Sequence, residues 1–212
     1  MNKPLYVGLL LLAATGSAMA AAPPPEAQAC VACHGDRGQG NPLLGAPRLA
    51  GQQADYLLSQ LQDFKAGRRG YDARDSHGLQ MRAMAASLDD AVLPSLARYY
   101  SVLEAGLTET SGTANTPQGR DLYQGTCAGC HGPQGQGFAH LKTPRLNLLD
   151  GAYLQRQLEH YAQGIRGSEE HAGTLGIWMR GISLQIRQDS ERQALADYIT
   201  GLGAAPARAP GP

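Results

Sequence analysis

The chain has 212 residues, with 18 basic and 18 acidic side chains and hence no formal net charge; it shows none of the clustered basic residues that a nucleic-acid partner demands. Aromatic residues make up 6% of it and phenylalanine occurs twice, so two domains of about 90 residues would have thin side-chain cores and gain from a large apolar prosthetic group. The four cysteines form two C-x-x-C pairs, which leaves no thiol over for a further bridge or nucleophile.

The N-terminus carries Lys3, an apolar run from Leu5 to Ala14 and the small-residue site Ala18-Met19-Ala20. This pattern predicts a cleaved secretory signal over residues 1–20, too short to span a bilayer comfortably. An uncleaved anchor is the alternative. The mature chain is expected to begin at Ala21 in the periplasm. After Pro23-Pro24-Pro25, a helix entered at Glu26 runs into Cys30-Val31-Ala32-Cys33-His34. C-x-x-C-H is the attachment signature of a c-type haem: two thiols bond the vinyl groups and the next residue brings imidazole to the iron. A zinc site or redox-active disulfides also use paired C-x-x-C runs. Neither explains why each pair is followed at once by His.

Leu57, Leu61 and Phe64 recur at helical spacing and predict a helix over Gln53 to Ala66. A long loop holding Met81 and Met84 follows, then a helix from Asp89 to Glu104. Residues 107–116 read as a linker by composition. Thr116 and Pro117 then open a second helix, which leads to Cys127-Ala128-Gly129-Cys130-His131. Leu154, Leu158 and Tyr161 predict a helix over Ala152 to Gln163. Met179 and a last helix over Asp189 to Thr200 complete the pattern, and residues 205–212 are expected to be disordered.

These elements are a duplication. Cys127 follows Cys30 by 97 positions, and Gly38, Gly40, Pro47-Arg48-Leu49, Tyr56-Leu57, Gln60-Leu61, Gly67 and Gly70 all recur at that offset. The expected fold is all-α, three helices per copy, with domains over 21–106 and 117–204. His34 and His131 each supply one axial iron ligand. For the opposite position, Met179 is the second copy's only methionine, and Met81 matches it: each stands seven residues before Leu88 or Ile186 and is followed by Arg. Met84 is the reserve. His77, His140, His160 and His171 have no partner in the repeat and are expected mostly at the surface. His/Met coordination favours ferrous iron and gives a high-potential, low-spin haem. The carbonyls of Pro47 and Pro144 are candidate acceptors for the proximal imidazoles. Arg48, Arg145, Tyr56 and Tyr153 are candidate propionate partners, although packing is the commoner role for the tyrosines, and Trp178 a cover for the haem edge.

The motif pairs, Pro47 to Gln52, Tyr56 to Gly67, Met81 to Ser101 and Met179 to Leu202 together resemble the dihaem cytochromes c4, over nearly all of the mature chain. The resemblance implies two class I cytochrome c domains with His/Met iron, related by a pseudo-twofold axis with their haem edges facing each other. It places the iron methionines on Met81 and Met179. It implies two covalent haem c groups held by Cys30, Cys33, Cys127 and Cys130. The implied function is not enzymatic: a periplasmic carrier passes single electrons from a membrane quinol-oxidising complex to a terminal oxidase or reductase. A cytochrome subunit of a larger dehydrogenase or oxidase is the alternative, with a dihaem enzyme behind it. Family members often carry lysine where Arg48 and Arg145 stand, and Asn147-Leu148-Leu149-Asp150 departs from the first copy's Ala50-Gly51-Gln52-Gln53.

Overall fold

The computed structural model describes residues 22–104 and 116–204. The predicted signal, nearly all of the linker and the predicted disordered tail lie outside the described residues. Each half opens with a helix that ends on its motif histidine. In the first half this is α1 (Ala27–His34). In the second, α5 (Pro117–Leu122) continues through a π-turn at Tyr123–Cys127 into α6 (Ala128–His131). Pro117 takes the first helical position, where its missing N–H costs nothing. Thr116 does not cap: its hydroxyl donates to the Ala194 carbonyl at 3.3 Å.

The next helices, α2 (Ala54–Lys65) and α7 (Gly151–Ala162), fall within a residue of expectation at each end, because each buries an apolar stripe. Two helices were not expected. α3 (Ser76–Ala86) and α8 (Thr174–Ser183) occupy what reads in the sequence as loop, and they carry the methionines. Among the described residues each copy therefore has four α-helical segments, not three, taking α5 to α6 as one, besides short 3-10 turns. α3 presents Leu79, Met81 and Met84 among Gly, Ala and polar residues, and that mixture gives no clear apolar stripe. What starts it is local: the Asp75 carboxylate accepts from Gly78 N at 2.8 Å.

The last helices are α4 (Leu93–Val102) and α9 (Asp189–Ala204). α4 begins four residues later than expected because Asp89 closes a separate turn, accepting from Ala91 N and Val92 N. α2 packs on α4, and α7 on α9. One core gathers Ala27, Leu57, Leu96, Ala97 and Tyr100; the other centres on Tyr123, Leu154, Leu195 and Ile199. Among the described residues there is no strand beyond an isolated Asn41–Ala46 pairing, so the all-α expectation holds.

Candidate functional site

Two cavities open inside the fold, of about 460 Å³ in the first domain and 490 Å³ in the second, within the range of cofactor pockets. Cys30, Cys33, His34 and Met81 line the first. Cys127, Cys130, His131 and Met179 line the second. The eight candidate residues are thus brought together four by four. The two cysteine pairs stand in separate cavities, so a four-cysteine zinc site does not form.

The histidine side is built twice in the same way. His34 Nδ1 lies 2.8 Å from the Pro47 carbonyl oxygen, and His131 Nδ1 lies 3.3 Å from that of Pro144. An Nδ1–H donated to a carbonyl leaves Nε2 with its lone pair free for a metal. Burial holds both imidazoles below the ordinary histidine range, against the pull of those carbonyls, and so keeps them neutral. The prolines can approach because Gly40 and Gly137 have φ of 85° and 66°. A Cβ there would stand 2.7 Å from Arg48 N and 2.6 Å from the Thr143 carbonyl oxygen. Burial raises the Cys30 thiol and pushes Cys127 up to about 12. These are protonated thiols, unlike the lowered thiolates of redox-active C-x-x-C pairs.

The methionine side is carried by α3 and α8. Asp75 and Gly173 are the N-caps, and Met81 and Met179 each stand six residues beyond their cap. This register reproduces the pairing drawn from the repeat. Met84 also lines the first cavity but is 43% exposed; its counterpart in register is Ile182, which lines the second. Both helices are clamped by a glycine with positive φ, Gly70 and Gly167. A Cβ at either would run into a helix carbonyl, of Gly78 or of Gly176. Trp178, two-thirds exposed, stands on the rim of the second cavity. Of the four unrepeated histidines, His77, His140 and His171 are exposed as expected. His160 is not: α7 turns it into the domain interface, where it is buried.

Between the cavities lies a twofold hydrogen-bonded box that the sequence reading did not single out. Arg69 donates to Gln60 Oε1 at 2.9 Å, and across the interface to Gln157 Oε1 at 3.1 Å and Tyr153 Oη at 3.0 Å. Arg166 donates to Gln157 Oε1 and, across the interface, to Gln60 Oε1, both at 2.7 Å, and bonds Tyr56. Arg69 stacks on Phe64, and Arg166 on Tyr161. Burial pushes the Tyr153 phenol up, but Arg69, Arg166 and Arg156 outweigh it and bring it below its ordinary value. Both arginines are buried, among the described residues neither is paired with a carboxylate, and Arg69 Nε has no partner. The signal was there to find: each arginine directly precedes a glycine matched at the repeat offset.

A second contact runs through Gln52 and Arg145. Gln52, buried, accepts from Arg145 N at 2.7 Å and donates to the Arg145 carbonyl at 3.0 Å. Arg145 in turn donates to the Gly51 carbonyl. Burial and the nearby Arg145 charge lower Arg48.

Helices that end on C-x-x-C-H histidines, each facing a methionine helix across an apolar cavity, define a tandem cytochrome c. The cytochrome c family profile matches residues 14–101 and 117–203. Cytochrome c4 of Stutzerimonas stutzeri is 35% identical over 217 residues, covering 95% of this chain and all of its own. The thiosulfate dehydrogenase electron acceptor of Thiomonas intermedia (strain K12) is 33% identical, covering 95% of this chain and 90% of its own. The crystal structure of reduced recombinant cytochrome c4 from Pseudomonas stutzeri superposes with a TM-score of 0.66 at 32% identity, over 83% of this chain and 95% of that one. The chain belongs to the dihaem cytochrome c4 family, and its two domains bind covalently attached haem c. The cavities fit that group: two thiols line each, a neutral imidazole is tied by its far nitrogen, and two buried guanidiniums lack an anion. When bound, haem supplies one-electron chemistry at iron.

Proposed function

We propose that this protein is a periplasmic, non-enzymatic electron carrier in which His34 and Met81 hold one iron and His131 and Met179 the other. Cys30 and Cys33, and Cys127 and Cys130, form the thioether links. The domains extend over 21–106 and 117–204, and the mature chain starts after residue 20. The observation that carries this reading is that each cavity gathers an imidazole, tied at Nδ1 and open at Nε2, and a methionine six residues past a helix cap. With an imidazole and a thioether from these residues on each iron, no vacancy would remain for a substrate and only electrons would pass. Buried, neutral thioether ligation favours the ferrous state and sets both potentials high. The uncompensated Arg69 and Arg166, between the cavities, are placed to receive propionate charge, ahead of the sequence candidates Arg48, Arg145, Tyr56 and Tyr153.

Electrons are taken from a membrane quinol-oxidising complex and delivered to a terminal oxidase or reductase. A second reading rests on two relatives, each named an electron acceptor of thiosulfate dehydrogenase: this chain would then serve as the cytochrome partner of a larger dehydrogenase. Co-purification at low salt separates the two, since redox encounters are usually small and weak. The carrier itself is tested by a visible spectrum with a pyridine haemochrome count and carbon monoxide challenge. Two low-spin haems per chain and no carbon monoxide uptake by the reduced protein are expected. Rapid uptake at neutral pH overturns the ligand assignment.

A further inference from the structure

The domain interface holds one titratable pair that the electron-carrier reading does not use. His160, on α7 of the second domain, is 8% exposed, and Asp75, the N-cap of α3 in the first domain, is 4% exposed. His160 Nδ1 stands 3.7 Å from Asp75 Oδ1. That is too long for a hydrogen bond, and Nδ1 is buried with no partner. The same Asp75 oxygen accepts from Gly78 N at 2.8 Å and so starts the helix that carries Met81.

Among the described residues the arrangement exists once. In the second domain the cap of α8 is Gly173, which has no carboxylate. The residue 97 before His160 is Asp63, already paired with Arg68 at 2.7 Å. The charged groups acting on His160 are Asp75, Arg156, Glu159 and Arg166, and Asp72 feels its charge in turn. His77 of α3 lies beside Gly45 and Arg156. Of the helices packed on α7, α8 brings Arg180, and α9 brings Asp189, Glu191, Arg192 and Asp197. Those four are engaged within or next to α9: Arg192 with Asp189, Glu191 with Arg187 N and Gln188 N, Asp197 with Gln193.

The geometry points to His160 as a positioning residue for the Met81 helix: a proton taken up opposite Asp75 makes the potential of the first haem, and not of the second, depend on pH. This rests on the assignment of Met81 as a ligand. Neutral His160 leaves Asp75 to Gly78. Protonated His160 becomes a donor to Oδ1 from across the interface, a charge-assisted bond that is shorter and stronger than the neutral one, and it competes for the oxygen that caps α3. It also puts a cation beside the first cavity, which favours ferrous over ferric iron. Reduction then adds one electron from the donor protein and draws a fraction of a proton from water onto His160. Linkage requires the reverse as well, so ferrous iron tightens the proton on His160.

Burial holds His160 below the ordinary histidine range; Asp75 and Glu159 oppose this, and Arg156 and Arg166 assist it. The effect therefore lies on the acid side of neutrality, with the first potential falling as pH rises through that window.

The test uses the full holoprotein. Histidine imidazole NMR is followed against pH in the fully reduced and fully oxidised forms, with His160→Gln for assignment. The potentials of the two haems are measured over the same range by spectroelectrochemistry. The His160 midpoint is expected to lie lower in the oxidised form, the two potentials to have different pH slopes, and His160→Gln to make the slopes equal. One midpoint in both redox states, or an unchanged slope in His160→Gln, overturns the proposal. If His160→Gln does not assemble, the native redox-state comparison decides alone, with His160 assigned through Asp75→Asn, which moves its resonance, and His77→Gln, which removes that of the one histidine on the helix Asp75 caps. A missing Met81 methyl resonance among those of iron-bound thioethers would instead sink the ligand assignment.

Discussion

Domain one enters its methionine helix through Asp75, whose carboxylate caps Gly78 N; domain two enters through Gly173, which has no side chain to cap with. Three features nearer the cofactor are shared: the proline carbonyl on the imidazole, the glycine pressed on the helix carbonyl, the methionine six residues in. Cavity lining differs in places, as with Met84 against Ile182, and so do contacts where the domains meet. Duplication has kept the frame of each site and the arginine box between the copies but let other contacts diverge, so the two haems hold like positions in unlike surroundings.

The largest effect that breaks the likeness is exchange of a ligand. Met179→His is expected to lower one potential on the order of tenths of a volt, within the ~0.8 V that axial ligands span, and to remove one of two methionine-to-iron charge-transfer bands. Met84→Leu is expected to leave both bands and both potentials in place. Redox titration followed in the visible and near infrared measures both; a lost band in Met84→Leu would move the first ligand from Met81 to Met84.

The clamp glycines come next. Gly70→Ala and Gly167→Ala each force a side chain into positive φ, about 1–2 kcal/mol by itself, and against a helix carbonyl. A loss of about 2–4 kcal/mol in the affected domain is expected. Guanidinium unfolding followed at the haem bands measures it, and equal losses at both sites would confirm that the clamp is shared.

How far the chain could be read from its sequence follows from the same comparison. The motifs, α2 and α7 were legible because attachment chemistry fixes spacing and an apolar stripe fixes a helix face. The prolines that hold His34 and His131 were legible through the repeat. α3 was not, because its mixture of Gly, Ala and polar residues shows no stripe; α8 was passed over although Leu175, Trp178, Met179 and Ile182 stand at helical spacing, because they face a cavity and not a side-chain core. His160 was misread as surface because its burial comes from the other domain, and contacts between domains leave no periodicity. Arg69 and Arg166 recur at the repeat offset, yet an arginine beside glycines reads as solvated loop until both copies are seen to share two glutamines.

The arginine box sharpens the comparison from the symmetric side. Arg69→Gln and Arg166→Gln each strand buried acceptors on Gln60, Gln157 and a tyrosine, at about 2 kcal/mol apiece. Because both guanidiniums bond both glutamines, their losses should not add. A double-mutant cycle in denaturant is expected to give a coupling of about 1 kcal/mol or more. Additive losses would mean that the box is two independent contacts.

The smallest effect tests the asymmetry at its source. Asp75→Ala removes a helix cap and should cost about 1 kcal/mol, whereas a cap installed at Gly173 should gain only a few tenths, since glycine is itself a tolerated cap. The site accepts a side chain: Gly173 has φ of −72°, and nothing lies within 4 Å of a Cβ built there. It lines the second cavity together with the Asp63–Arg68 pair. An aspartate at 173 would therefore cap α8 but share its cavity with Asp63, the counterpart of His160, where Asp75 faces an imidazole. Asparagine caps without the charge. Thermal unfolding of Gly173→Asn is thus expected to exceed that of Gly173→Asp at neutral pH, with the gap closing in high salt as the Asp63 charge is screened. A gap of the opposite sign would show that Arg68, not Asp63, governs the cap, and that the second domain's helix already lies in a field favouring the carboxylate it lacks.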